Sequence, residues 1–137
     1  MEGLIIQGTE NTPEVIMEPG GVILIRGRIM KNQEEFLQKT FRWIDEYVSR
    51  PADMTCVNIF LEYAADINNS LMLLLRKIMR VKLKDKKLLI NWYYEEGDED
   101  ILEKGECASA FLGYPFNIIM IADIYRVRHH ELSCIAG

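Results

Sequence analysis

The chain alternates short apolar runs with longer amphipathic stretches. Apolar, β-branched and aromatic runs fall at Leu4–Gln7, Glu14–Met17, Val22–Gly27, Thr55–Tyr63, Leu88–Tyr94 and Asn117–Ile124. Runs of this length, bounded by turn residues, predict strands. The turn-rich GTENTP at 8–13 separates the first two, and Glu18-Pro19-Gly20-Gly21 folds the second and third into a hairpin. From Lys31 to Arg50, Leu37, Phe41, Ile44 and Val48 recur every three or four residues, widened by Phe36, Trp43 and Tyr47. That period predicts a helix with its aromatics in the core. Asn32 is its expected N-cap, and Pro51 stops it. A second helix is predicted from Leu71 to about Val81. A third runs from about Glu99 to Leu112, capped by Asp98 and Gly113, with Ile101, Leu102, Ala108, Phe111 and Leu112 on its buried side.

This order of elements predicts an α/β domain over residues 1–137, with a mixed, partly parallel sheet of about six strands and three or four helices. The last three strands are joined by helices, so right-handed crossovers should make them parallel, in two or three layers. Leu88–Tyr94 reads as a central strand covered on both faces.

The stretch Cys56–Arg80 organises the rest: a buried strand, a polar turn and a strongly apolar helix. The turn holds Asp66, Asn68, Asn69 and Ser70, all able to cap a helix N-terminus. Such a place can hold an anion, accept a phosphate or dock a partner. The run LMLLL at 71–75 exceeds one buried stripe, which fits either a partner or homodimer face, or a helix wedged deeply against the sheet.

Bulk properties narrow the function. A net charge of −5 argues against a general nucleic-acid binder, which needs a basic face. Three cysteines without a close pair suit a reduced, cytoplasmic protein. The N-terminus has no signal-peptide pattern, and no apolar run is long enough for membrane insertion.

Candidate chemistry is thin. The acidic EEGDED at 95–100 could serve a divalent metal in a metal-dependent or small-ligand enzyme. Consecutive acids diverge, however, and a dipole-satisfying helix start is the plainer reading. His129, His130 and Cys134 do not make a complete metal set, so neither a metal nor a cofactor is expected. The lysines of KLKDKK at 82–87 read as a solvated loop, or as a contact for phosphate or an acidic partner. No phosphate loop, GxSxG or HExxH occurs, and catalysis is unsupported.

Several segments together resemble the SiaC family of bacterial regulatory phosphoproteins, over about residues 3–121. They are GTENTPEV (8–15), GVILIRGR (21–28), FRWIDEY (41–47), FLEYAADINNS (60–70), NWYYEEGDEDILEKGE (91–106) and PFNII (115–119). The resemblance implies a fold like the anti-sigma-factor antagonists (STAS-like). It also implies a non-enzymatic adaptor, phosphorylated at the start of the helix after the Glu-Tyr strand by a Ser/Thr kinase. A PP2C-type phosphatase reverses this, and the unphosphorylated form binds a diguanylate cyclase. Counting without gaps from Glu62-Tyr63 puts Asp66 where the family has its phosphoacceptor threonine. Ile67, Asn68 and Asn69 stand at its serines and Ser70 at its lysine. Either Asp66 fixes the switch in one state, or Ser70 has become the acceptor; Asn68, Asn69 and Leu71 would then belong to the partner surface. The segment Arg28–Phe36 also lacks the proline of the family pattern, and the tail 122–137 lies beyond the resemblance.

Overall fold

A computed structural model describes residues 1–30, 34–65 and 70–132. Six strands form a single sheet in sequence order: β1 (Leu4–Ile6), β2 (Glu14–Met17), β3 (Val22–Ile29), β4 (Met54–Ala64), β5 (Lys87–Glu95) and β6 (Asn117–Ile121). β1, β2 and β3 pair antiparallel; β3 through β6 are parallel. The parallel crossovers carry α1 (Glu34–Tyr47), α2 (Ser70–Ile78) and α3 (Glu99–Leu112). α2 runs on into a 3-10 turn, Met79–Lys84. Crossovers of one hand that always step the same way leave every helix on one face. The architecture is therefore two-layered, and the mixed, partly parallel sheet follows the sequence pattern.

The main core lies between helices and sheet. It joins Val15, Ile25, Val57, Ile59, Leu61, Ile90 and Trp92 to Ile44, Leu71, Leu75, Ile78 and Ile101. Trp43 and Tyr47 are buried and stacked, with centroids 5.0 Å apart. Their polar tips are satisfied: Trp43 Nε1 donates to Glu2 O (2.8 Å), and the Tyr47 hydroxyl meets Thr55 Oγ1 at 2.7 Å. Gly21 has φ +108°, and a Cβ there would sit 2.1 Å from Met54 O. Only glycine lets the β2–β3 turn close on β4.

The opposite face departs from the expected pattern. β5 is not covered evenly on both sides: its residues alternate between buried and half-buried. An asparagine row crosses three parallel strands in register, Asn58, Asn91 and Asn117. Asn117 Nδ2 donates to Asn91 Oδ1 (2.9 Å), and Asn91 Nδ2 to Asn58 Oδ1 (3.1 Å). Asn58 Nδ2 reaches Ile23 O (3.3 Å). The ladder runs from the exposed Asn117 to the buried Asn58, whose amide burial would otherwise penalise.

The last strand ends at Ile121 rather than Ile124. Residues 122–132, which lie beyond the family resemblance, form a strap over this face. Ile124, Val127 and Leu132 make a second core with Ile16, Leu24, Phe60, Tyr93 and Ile121. Glu95 Oε2 accepts from Ile124 N (3.0 Å), and Arg26 donates to Ile124 O (3.4 Å) and Val127 O. The Tyr125 hydroxyl donates to Glu62 Oε2 (2.7 Å), while His129 Nε2 faces the Glu18 carboxylate. The reduced-thiol expectation holds at Cys107, which is free and exposed, and not at Cys56, which is disulfide-bonded.

Candidate functional site

β4 brings the chain to the carboxyl end of the sheet at Ala64. A bulge after Gly27, where Gly27 pairs with Leu61 and Arg28 with Tyr63, sets the exit of the strand. Lys104 of α3 donates to Ala64 O (3.0 Å) and pairs with Asp100 (2.9 Å). Ala65 N donates to Ile29 O (2.8 Å). Tyr63 is 40% exposed, with Arg28 at 5.2 Å and Lys104 at 5.8 Å from its ring centroid. The end of β4 is thus fixed from β3 and from α3.

Of the switch residues read from the sequence, Asp66, Asn68 and Asn69 lie outside the described residues. Ser70 opens α2 and is half-buried. The first turn of α2 has no acidic residue, whereas Arg76 and Lys77 occupy its last turn. The positive end of the helix dipole is therefore without a carboxylate in its own first turn, the arrangement in which an added negative charge is stabilised. Leu71 is 3% exposed and packs in the main core, so it supports this surface from beneath. Four of the five residues of the LMLLL run are buried; only Leu73, at 52%, faces solvent. The run is largely a helix wedged against the sheet.

The acidic segment 95–100 is divided among separate tasks. Glu95 holds the strap, Asp100 pairs with Lys104, and Asp98 caps α3 by accepting from Ile101 N (3.1 Å). No group of three potential metal ligands is present among the described residues. The sequence placed Phe111 on the buried side of α3; it is 60% exposed, because the helix turns Ile101, Gly105 and Ala108 toward the sheet.

The segment 91–106 explains itself once folded. Trp92 is fully buried, and its Nε1 donates to Ile101 O (2.9 Å). Gly105 lies flat against the indole: a Cβ there would meet Trp92 Cδ1 at 2.4 Å. Tryptophan on β5 and glycine on α3 are one contact, so neither can change alone.

A family model, SiaC family regulatory phosphoprotein, matches residues 6–121. The chain belongs to this family. No curated protein matches it. Among solved structures, a chain of diguanylate cyclase SiaD in complex with its activator SiaC from Pseudomonas aeruginosa is similar with TM-score 0.74 and 19% identity, covering 86% of this chain and 99% of that one. Apo-SiaC from the same organism is similar with TM-score 0.68 and 18% identity, covering 89% and 100%. At this identity the likeness establishes the fold. The strap begins where the family match ends.

No described helix is long and apolar enough to cross a membrane.

Proposed function

We propose that this SiaC-family protein is a non-enzymatic cytoplasmic adaptor that binds a diguanylate cyclase and whose binding is set by charge at the start of α2. Family membership supports the regulatory role, and the likeness to a SiaC chain solved with a cyclase supports the partner class. The observation that carries the switch is Ser70 at the first position of a helix whose first turn has no acidic side chain. A phosphate there adds about −1.5 to −2 charges and meets the positive end of the helix dipole. It changes the outward surface while the buried side of α2, held by Leu71, Leu74, Leu75 and Ile78, stays packed. A Ser/Thr kinase and a PP2C-type phosphatase would set this state. If Ser70 is not an acceptor, Asp66 is either a permanent substitute for the phosphate, which makes the protein a non-binding decoy, or a plain helix cap, which makes it a constitutive binder.

Intact-mass measurement of protein from its own host, with peptide mapping across residues 60–76, separates the two. Phosphate on Ser70, with cyclase binding altered by Ser70→Asp and retained by Ser70→Ala, is the expected result for a moved switch. Absence of phosphate under every growth condition assigns the role to Asp66. Failure of the unmodified protein to bind any diguanylate cyclase of its host removes the adaptor reading.

A further inference from the structure

The stretch from the end of α2 through the 3-10 turn to the start of β5 carries a feature that the family match does not explain. Residues 76–87 hold seven of the chain's 16 Lys and Arg and only one acid, Asp85, in a protein of net charge −5. Three of these cations are partnered: Lys77 with Asp45 (2.7 Å), Arg80 with the same carboxylate (3.7 Å) and Lys86 with Asp53 (2.9 Å). Arg76, Lys82, Lys84 and Lys87 have no carboxylate partner among the described residues.

These charges are arranged around exposed apolar groups. Leu73, Arg76, Arg80 and Leu83 follow each other at three- and four-residue steps along α2 and the 3-10 turn, so they form one outward ridge. Leu73 is 52% and Leu83 is 81% exposed. Beside the ridge, Arg76 lies over the ring of Phe111 at 5.1 Å, and that ring is 60% exposed. A guanidinium held on an aromatic face, with its own donors free of carboxylates, is preorganised to take a carboxylate bidentately.

We propose that this ridge docks an acidic, partly apolar segment of a partner protein. Arg76 and Phe111 form the anchor, Leu73 and Leu83 receive apolar side chains, and Lys82, Lys84 and Lys87 supply the charged rim. Arginine and aromatic anchors ringed by lysine match the anatomy of protein interfaces. The charge distribution selects a short segment over an extended anionic surface. A local basic patch acts within roughly 10 Å at physiological salt, whereas a membrane or duplex is also felt by the acidic remainder of the molecule.

This inference goes beyond the adaptor reading, because it specifies the chemistry of a partner segment and not the partner's identity. The test therefore uses no cyclase. A fluorescent peptide carrying Glu on one helical face and Leu and Phe on the other is titrated into the whole protein, followed by anisotropy. Its counterpart with Lys for every Glu is the control. The acidic peptide binds and the basic one does not. Arg76→Glu with Lys84→Glu weakens binding at least about tenfold, as expected for lost complementary charges. Leu83→Ser weakens it as well, and Arg42→Glu on the exposed side of α1 leaves it within about twofold. Lys84→Glu with Lys87→Glu, which leaves the Arg76–Phe111 contact untouched, gives a second readout should the Arg76 variant be misfolded by circular dichroism. No binding of the acidic peptide, equal binding of the basic one, or equal loss in Arg42→Glu overturns the proposal. So does binding to phosphatidylglycerol vesicles without peptide binding, which assigns the ridge to lipid. Self-association abolished by Arg76→Glu, without peptide binding, assigns it to a second copy.

Discussion

β4–α2 and β5–α3 are successive crossovers over the same sheet face, yet their helices begin differently. α3 starts with a side-chain cap from Asp98 and two further acids, Glu99 and Asp100, in its first turn. It is then locked by the Trp92 indole against Gly105. α2 starts at Ser70 with no first-turn acid, and its side chains pack by bulk rather than by one interlocking pair. α3 already contains the charge its dipole favours. α2 has room for such a charge, and the proposed switch rests on that difference.

The largest effect should come from breaking the lock. Trp92→Ala removes a fully buried indole and its bond to Ile101, and should cost about 3–5 kcal/mol in urea unfolding. Gly105→Ala should cost about 1–3 kcal/mol by overpacking, although alanine is the better helix former. The two must couple. In the Trp92→Ala background, Gly105→Ala should become neutral or stabilising, since the ring that its Cβ would strike is gone. A penalty unchanged in that background would dissolve the lock.

That contact also shows what the sequence could and could not disclose. The limits of α3 were legible from Asp98 and Gly113, because caps are local chemistry; Gly113 indeed takes the left-handed conformation, φ 64°. The N-cap expected at Asn32 lies outside the described residues. The alternation of apolar runs gave the strands, since a buried face imposes its period on the residues that form it. Tryptophan and glycine thirteen residues apart carried no visible relation. The asparagine ladder was hidden for the same reason: Asn58, Asn91 and Asn117 become neighbours only through strand register. The strap was illegible because its contacts, such as Arg26 with backbone carbonyls about a hundred residues away, have no periodic signature. At the candidate site, Ser70 was readable as a helix start. The burial of Leu71 and the exposure of Leu73 depended on how α2 is rotated between α1 and α3.

Smaller effects sharpen the contrast between helix starts. Asp98→Ala removes the cap of α3 and should cost about 1 kcal/mol by thermal or urea unfolding. Ser70→Asp should do the reverse at α2, adding about 0.3–1 kcal/mol at low salt, and the gain should shrink as salt rises. A destabilising Ser70→Asp would mean that negative charge is already sufficient there, and the electrostatic case for the switch would fall.

The smallest effect concerns the strap, which closes the face opposite both helices. Burial, together with the bond to Glu62, pushes the Tyr125 hydroxyl from about 10 up to about 12. Protonation is thus favoured by folding. The resulting stabilisation is full below the unfolded value near pH 10 and is lost as pH rises toward 12. Tyr125 is largely exposed, so the bond should contribute about 1 kcal/mol or less. Tyr125→Phe should therefore unfold almost like the parent at pH 7. Between pH 10 and 12 the parent should lose stability faster than the variant, so that their difference closes. Parallel pH curves would mean that Tyr125 does not hold the strap through its proton. Its closure would then rest on Arg26 and on the packing of Ile124 against Phe60 and Leu24.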